Sequence, residues 1–232
     1  MSASENITSL ARKIDHTLLK PDATSEDIVR LCDEARKHSF ATVCINSSFI
    51  SLAAKLLEGS ETLPIAVIGF PLGAASSEAK AFEAREAVRN GAREIDMVIH
   101  LGALRGKDYA TVLNDIRTVV EAIRPIPVKV ILETASLTQD EKVAGCILSQ
   151  AAGAAFVKTS TGFGPGGATI EDVALMHKTV GPMVRVKASG GIRNREDALK
   201  MIEAGADRLG TSAGVSIVTG TPGTAAATPK AY

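Results

Sequence analysis

REIDMVI, residues Arg93 to Ile99, is the stretch whose reading decides the fold. Taken as a strand, its side chains alternate between two faces. Glu94, Asp96 and Val98 fall on one face; Ile95, Met97 and Ile99 fall on the other. Two further runs divide in the same way. In VKVILE (128–133), Lys129, Ile131 and Glu133 oppose Val128, Val130 and Leu132; in VRVKAS (184–189), Arg185, Lys187 and Ser189 oppose Val184, Val186 and Ala188. In AAFVKT (154–159), Phe156 shares its face with Lys158. A sheet covered by helices on both sides is apolar on both faces. The charges in these runs therefore point to a closed barrel, with apolar faces outward against helices and charged faces inward toward a mouth. The lower charges, Glu94, Lys129 and Arg185, are expected to pair as a structural layer, because an isolated buried charge is very costly.

The rest of the chain repeats this unit. KIDHT near Asp15, ATVCI near Val43, IAVIGF near Val67 and DRLG near Leu209 complete a set of eight candidate strands. Amphipathic stretches such as SEDIVRLCDEARKH and KDYATVLNDIRTVVEAI lie between them. Ser25, Ser77 and Thr138 mark helix starts, and Gly91, Gly153 and Gly205 follow helix ends. Strand–helix alternation is the pattern of βαβ units and a parallel sheet. Eight such units in 232 residues match the size of a small (β/α)8 barrel. A doubly wound sheet is the alternative that the face pattern disfavours. The expected architecture is one α/β domain over residues 1–232: a TIM barrel with a short N-terminal helical extension and a flexible C-terminal tail over 219–232.

Bulk properties narrow the function. Lys plus Arg and Asp plus Glu both number 26, hydrophobic residues make up 45% and charged residues 22%. This is the balance of an ordinary globular protein, with nothing to favour a nucleic acid or a membrane surface as partner. The N-terminal segment has no apolar signal core, and no stretch is long enough to span a bilayer. Cys32, Cys44 and Cys146 lie far apart, which fits free thiols in a reducing cytoplasm.

The chemistry is expected at the C-terminal ends of the strands, the active-site face of this fold. Asp96, Lys158 and Lys187 lie at or near three such ends, with both lysines on consecutive strands. Neighbouring strands run about 4.7–4.9 Å apart, so the two amines can share a pocket. An amine attacks a carbonyl only when neutral, and a free lysine has a pKa of about 10.4. A second ammonium about 5 Å away, at an effective dielectric of about 20, contributes roughly 3 kcal/mol toward the neutral form. An amine activated in this way forms a Schiff base, which then serves as an electron sink for cleaving a neighbouring carbon–carbon bond. Asp96 is placed to shuttle protons. Taken singly, a lysine reaching solvent or pairing with an acid is the ordinary structural role; two together with an aspartate favour chemistry. Glu133 either lines the site or balances a lysine charge.

Three loops after these strands are polar and rich in glycine: TSTGFGPGG, SGGIRN and GTSAG. Glycines let backbone N–H groups approach an anion, and a helix N-terminus adds a favourable dipole. Phosphate sites in barrels commonly lie after strands seven and eight. His16 and His100 lie near strand ends without a metal-ligand spacing, so no metal is expected. Cys44 ends an apolar strand, and packing is its ordinary role.

At these residues the chain resembles the deoxyribose-phosphate aldolases, class I aldolases built on a (β/α)8 barrel. The likeness runs through IDHTLLKPDAT, ATVCI, EIDMVI, KVILET, FVKTSTGFGPGGAT, VKASGGIR and GADRLGTSAG, and so covers nearly the whole chain. The resemblance implies that Lys158 forms the Schiff base, that Lys187 perturbs it and helps move protons, and that Asp96 donates or accepts a proton. It implies a phosphate pocket lined by Gly162, Gly190, Gly191, Gly210 and Ser212, no metal or other cofactor, and a homodimer or larger assembly. The implied reaction is the reversible cleavage of 2-deoxy-D-ribose 5-phosphate to acetaldehyde and D-glyceraldehyde 3-phosphate, the work of a carbon–carbon lyase in deoxyribose phosphate catabolism. Some members carry a lysine after the glycine of KTSTG where this chain has Phe163. Phosphate is then expected to rely on backbone donors, a helix terminus and Arg193. Some members also end in tyrosine, as this chain does at Tyr232, one of its two tyrosines. A phenol on a flexible tail can relay a proton at an imine carbon, which makes Tyr232 a further candidate. Two alternatives stand: another Schiff-base barrel lyase or transaldolase on a different sugar phosphate, and a non-catalytic barrel that binds a phosphorylated ligand. The second leaves the lysine pair unexplained.

Overall fold

The structure is a computed structural model that describes residues 3–221. Its elements run α1 (Ala3–Ala11), β1 (Ile14–Leu18), α2 (Ser25–Lys37), β2 (Thr42–Asn46), α3 (Ile50–Leu56), β3 (Leu63–Ile68), α4 (Ser77–Arg89) and β4 (Glu94–Val98). They continue with α5 (Leu101–Arg105), α6 (Tyr109–Ala122), β5 (Val128–Ile131), α7 (Gln139–Ala151), β6 (Phe156–Lys158), α8 (Ile170–Val180), β7 (Arg185–Ser189), α9 (Arg195–Glu203), β8 (Arg208–Thr211) and α10 (Gly214–Thr219). The eight strands are parallel and pair in sequence order, and β8 returns to β1 to close a barrel. The expected TIM barrel is the observed fold, preceded by the short helix α1.

Local chemistry starts and stops these helices. Thr24 and Thr138 cap α2 and α7 with reciprocal capping boxes through Asp27 and Glu141, and Ser76 caps α4. The starts expected at Ser25 and Ser77 are the first residues of α2 and α4, with the caps one residue earlier. The cap needs an extended backbone with a side chain reaching forward to the third helical N–H, and Thr24 and Ser76 have that geometry. Ser77 instead donates to Asp115 Oδ1 across to α6. After α9 the chain turns at Gly205 with φ +111°, where a Cβ would strike the His177 ring, so only glycine serves there. Thr219, counted with the expected tail, ends α10, and Gly220 closes the helix in the left-handed conformation; residues 222–232 lie outside the described residues. No helix among the described residues is long and apolar enough to cross a membrane.

Strand register confirms the alternation read from REIDMVI. Val67 pairs with Asp96, Asp96 with Lys129, Lys158 with Lys187, Lys187 with Arg208 and Gly210 with Asp15, so these residues share the inner face. Ile95, Met97 and Ile99 are fully buried on the outer face, in a core that continues into the helices. Burial of each such side chain contributes roughly 1.5–3 kcal/mol. A second, smaller apolar cluster lies inside the barrel: Leu19, Cys44, Ile65 and Val67, with Phe70 packed on it. The wall of the barrel separates the two. The inner face is therefore divided: Cys44, Ile65 and Val67 of β2 and β3 make an apolar side with Leu19, and β4 to β8 together with Asp15 of β1 carry the charges.

One buried ion pair belongs to the helical shell. Lys80 of α4 is completely buried; its Nζ donates to Asp115 Oδ2 of α6 at 2.7 Å and to the Val98 carbonyl at 3.0 Å. Burial lowers its proton affinity, and the Asp115 carboxylate works in the opposite direction. Breaking such a pair leaves a buried charge uncompensated, at about 3–5 kcal/mol. Lys80→Met should therefore lower Tm by roughly 6–20 °C for a chain of this size. Lys80→Met combined with Asp115→Leu should recover much of the loss. Thermal unfolding checks both; a single variant within about 2 °C of the parent would show that the pair holds nothing together.

Candidate active site

The charged half of the inner face forms a closed ring. Lys187 Nζ lies 2.5 Å from Asp15 Oδ2 and 2.8 Å from Asp96 Oδ2. Asp96 Oδ1 lies 3.0 Å from Lys129 Nζ, and Lys129 pairs closely with Glu94. Glu94 Oε1 meets Arg208 at 3.3 Å, and Arg208 returns to Asp15 Oδ1 at 2.6 Å. Three carboxylates alternate with three cations, so the ring is electrically neutral. Lys158 is attached to it as a seventh charge, its Nζ 2.9 Å from Asp96 Oδ2.

Burial makes this alternation necessary. Asp15, Asp96, Lys129 and Lys187 are fully buried, and an unpaired ion there costs several kcal/mol. The effects on proton affinity follow. Burial alone would push the Asp96 carboxyl up, but Lys129, Lys158 and Lys187 together hold it well below the usual carboxylate range. Asp15 is likewise lowered against burial, by Lys187 and Arg208 first. Burial acts to strip the proton from Lys187, and Asp15 and Asp96 outweigh it, so its ammonium is held above the ordinary lysine value. Lys187 is thus a fixed cation. It and Lys158 touch the same carboxylate oxygen, so their nitrogens are no farther apart than two hydrogen bonds laid end to end.

The three residues singled out from sequence, Lys158, Lys187 and Asp96, are brought together. Of the expected structural layer, Glu94 and Lys129 pair, and Arg185 does not join them. It sits at the exposed start of β7 with its guanidinium 4.0 Å from the centre of the Phe156 ring. Arg208, one strand further on, takes the place in the ring. Asp15 and Arg208 were not among the candidates. Both lie on the inward parity, the signal that found Asp96, but five-residue KIDHT, with Lys13, and four-residue DRLG, with Asp207, mix further charges with too few alternations to reveal it.

The glycine loops divide. Gly162, Gly190 and Gly191 all have φ between +82° and +89°; added Cβ atoms at Gly162 and Gly191 would meet nothing within 4 Å, so both backbones face open space. Gly190 packs on Gly167. Gly210 differs: it lies in β8 facing inward, where a Cβ would come within 2.9 Å of Lys187 Cε. Its lack of a side chain gives Lys187 clearance. Ser212 is exposed between β8 and α10, in a loop that Thr211 fixes by donating to the Ile192 carbonyl at 2.7 Å. Tyr232 lies outside the described residues.

Glu133 follows β5 in the left-handed conformation, φ +57°. It accepts from the Thr161 N–H and hydroxyl, and it is held above its ordinary pKa by burial, with the Thr161 bonds pulling back. It ties the end of β5 to the loop after β6. Cys44 Sγ, facing inward, lies 3.9 Å from Asp96 Oδ2, and burial pushes its thiol up. The histidines serve elsewhere: His16 points outward to Glu34 at 2.7 Å, and His100 caps α5 through Nδ1. Among the described residues, no three His, Cys, Asp or Glu side chains are grouped to hold a metal ion. The arrangement as a whole can form an imine at Lys158 beside a fixed cation and a fixed anion.

Comparison with known proteins places this geometry in company. The family model described as DeoC/LacD family aldolase matches residues 10–219. A deoxyribose-phosphate aldolase of Brevibacillus brevis is 59% identical over 212 residues, 91% of this chain and 96% of the relative. One from Streptococcus sanguinis is 59% identical over 211 residues, with the same coverage of each. Among solved structures, a putative deoxyribose-phosphate aldolase from Coccidioides immitis superposes with a TM-score of 0.90 at 49% identity, covering 92% of this chain and 86% of the other. The deoxyribose phosphate aldolase of Aeropyrum pernix, described as a tetramer, gives 0.85 at 34% identity, covering 94% and 97%.

Proposed function

The chain belongs to the DeoC/LacD family of aldolases, and from that premise we propose that Lys158 is the Schiff-base lysine of a class I aldolase that reversibly cleaves 2-deoxy-D-ribose 5-phosphate to acetaldehyde and D-glyceraldehyde 3-phosphate. The observation that carries the assignment is the charge count. Six charges, all buried except the half-buried Arg208, balance one another around the ring, and Lys158 alone adds a seventh at a strand end on the mouth side. It is the one amine whose proton can leave without unbalancing the ring.

The steps follow from this placement. Neutral Lys158 adds to the aldehyde carbon of the open-chain sugar, and the resulting hydroxyl takes up one proton and leaves as water, giving a protonated imine. A base then takes the proton of the hydroxyl two carbons away. The bond between the hydroxyl-bearing carbon and the methylene next to the imine carbon breaks, its electron pair moves into the imine to give an enamine, and glyceraldehyde 3-phosphate leaves. A proton returns to the terminal enamine carbon, and water releases acetaldehyde and the free lysine. Lys187 acts as the fixed positive charge that favours neutral Lys158, because its own proton is held by two carboxylates. Asp96 is the anion that offsets the iminium and orients, through a bound water, the protons that move to and from the reacting groups. The open backbones at Gly162 and Gly191, with exposed Ser212, receive the phosphate on the β6 to β8 side of the mouth. Assembly into a homo-oligomer belongs to the same proposal, supported by the tetramer described for the Aeropyrum pernix relative.

Borohydride reduction in the presence of acetaldehyde, followed by peptide mass mapping, tests the assignment. A two-carbon adduct on Lys158 is expected. An adduct chiefly on Lys187, or none, would overturn it.

A further inference from the structure

Lys158 must meet an aldehyde, yet its side chain is only 3% exposed. Two phenylalanines lie over the adjoining part of the mouth. Phe70 follows β3 and packs downward on Leu19, Cys44, Ile65 and Val67, the apolar half of the barrel interior. Phe163 follows β6 by five residues, and its ring meets Phe70 edge to face, centroids 5.4 Å apart with an interplanar angle of 90°. Strands β3 and β6 are not neighbours. The pair therefore spans the rim past the ends of β4 and β5, the strands that carry Asp96 and Lys129.

Both rings are mounted on fixed loops. Phe163 N–H donates to Thr161 Oγ1 at 3.0 Å, and that hydroxyl donates to Glu133. On the other side, a Cβ at Gly164 would come within 2.7 Å of the Glu133 carboxyl carbon, so the loop lies directly on that side chain. Gly73, with φ +69°, holds the loop after β3 against Val98 and Ile99 at the end of β4. Phe163 nevertheless remains 45% exposed, so its ring serves the rim more than the core.

We propose that the Phe70–Phe163 pair is a specificity determinant: an aromatic roof over the β3–β6 side of the mouth that limits the length of the carbon chain on the aldehyde that joins or leaves at Lys158. The inference rests on the aldolase reading above and adds what that reading leaves open. Beneath the roof, the apolar wall of Cys44, Ile65 and Val67 accepts hydrocarbon and offers nothing to a phosphate. A charged end is thereby turned toward Gly162 and Gly191, and an uncharged chain that grows in the other direction meets the rings.

The test runs in the synthetic direction, with acetaldehyde as donor and propanal or hexanal as acceptor. Borohydride trapping at Lys158 in the parent comes first, and its failure would sink the aldolase reading without touching the roof. With trapping established, the readout is the ratio of kcat/KM for hexanal to that for propanal. Phe163→Ala and Phe70→Ala should each raise this ratio about tenfold, the discrimination that a methylene-sized contact carries in an apolar site. The double variant should gain little more, because either truncation already opens the roof. Phe163→Tyr keeps the ring and should keep the parent ratio. If an alanine variant fails to fold, Phe163→Leu takes its place with the same expected direction. An unchanged ratio in the single variants, a double variant equal to the product of the singles, or a Phe163→Tyr shift as large as that of alanine would overturn the proposal.

Discussion

Lys158→Leu should lower kcat/KM for deoxyribose 5-phosphate by at least about four orders of magnitude while leaving the fold intact. Loss of the nucleophile removes the covalent route, and in catalytic groups that act as a unit such a loss costs up to about 10⁶ in rate. Stability should behave differently. Without Lys158 the ring keeps three carboxylates and three cations, and Asp96 still holds Lys129 and Lys187. No buried charge is orphaned, so Tm should stay within a few degrees of the parent, about the shift that 1 kcal/mol produces in a chain of this length. Steady-state kinetics and thermal unfolding on one preparation decide the matter. Retention of more than about 1% of activity, far above the loss expected for a nucleophile, would remove Lys158 from the covalent step.

The second large effect comes from Lys187→Leu, for the opposite reason. Removing one cation leaves Asp15, Asp96 and Glu94 facing Lys129, Arg208 and Lys158. The charges then balance only when Lys158 keeps its proton. Imine formation requires the neutral amine, so its rate near neutral pH should fall about a hundredfold and recover in alkali. At about 5 Å and an effective dielectric of about 20, the lost repulsion is about 3 kcal/mol, or about two pH units. The sign is fixed: loss of a neighbouring cation favours the ammonium, and the alkaline rise moves to higher pH. Single-turnover imine formation measured across pH checks this, and a profile that overlays the parent would show the two amines to be uncoupled. The variant should also lose about 3–5 kcal/mol of stability, since the ring is opened. In the parent, Asp15 and Asp96 are held below the ordinary carboxylate range. The stability they contribute is full above about pH 4 and is lost as the pH falls toward their lowered values.

The barrel was legible in the sequence because its wall is apolar on one side and charged on the other, and strand parity reports that directly. Asp96 and Lys187 were legible for the same reason, since each lies in a run long enough to show alternation, and Lys158 was legible from its place on the strand before that of Lys187. What escaped was closure. Arg208 lies beside Lys187 through the β7–β8 pairing, but that Asp15 joins both follows only when β8 lies against β1, and no local pattern in KIDHT or DRLG states it. Arg185 was misjudged because parity gives the face and not the height: at the first rung of β7 it reaches the exposed rim and lies over Phe156. Gly210 was read from its loop composition alone, and its place in the register adds what composition does not state, clearance for Lys187. The Phe70–Phe163 contact joins loops of non-adjacent strands and has no sequence signature.

Asp15 and Arg208 meet across 193 positions of chain. A polypeptide made from its N-terminus carries Asp15 from the start and acquires Arg208 after every other member of the ring. Contacts this distant in sequence form slowly, because the entropy of closing the loop must be lost before they stabilise anything. Until the last strand docks, Asp15 and Glu94 lack the cation that joins them, and the ring is open to water. On the mechanism proposed for Lys158, the site is therefore assembled only in the event that completes the fold, and a half-made barrel does not offer aldehydes the setting that the finished one does.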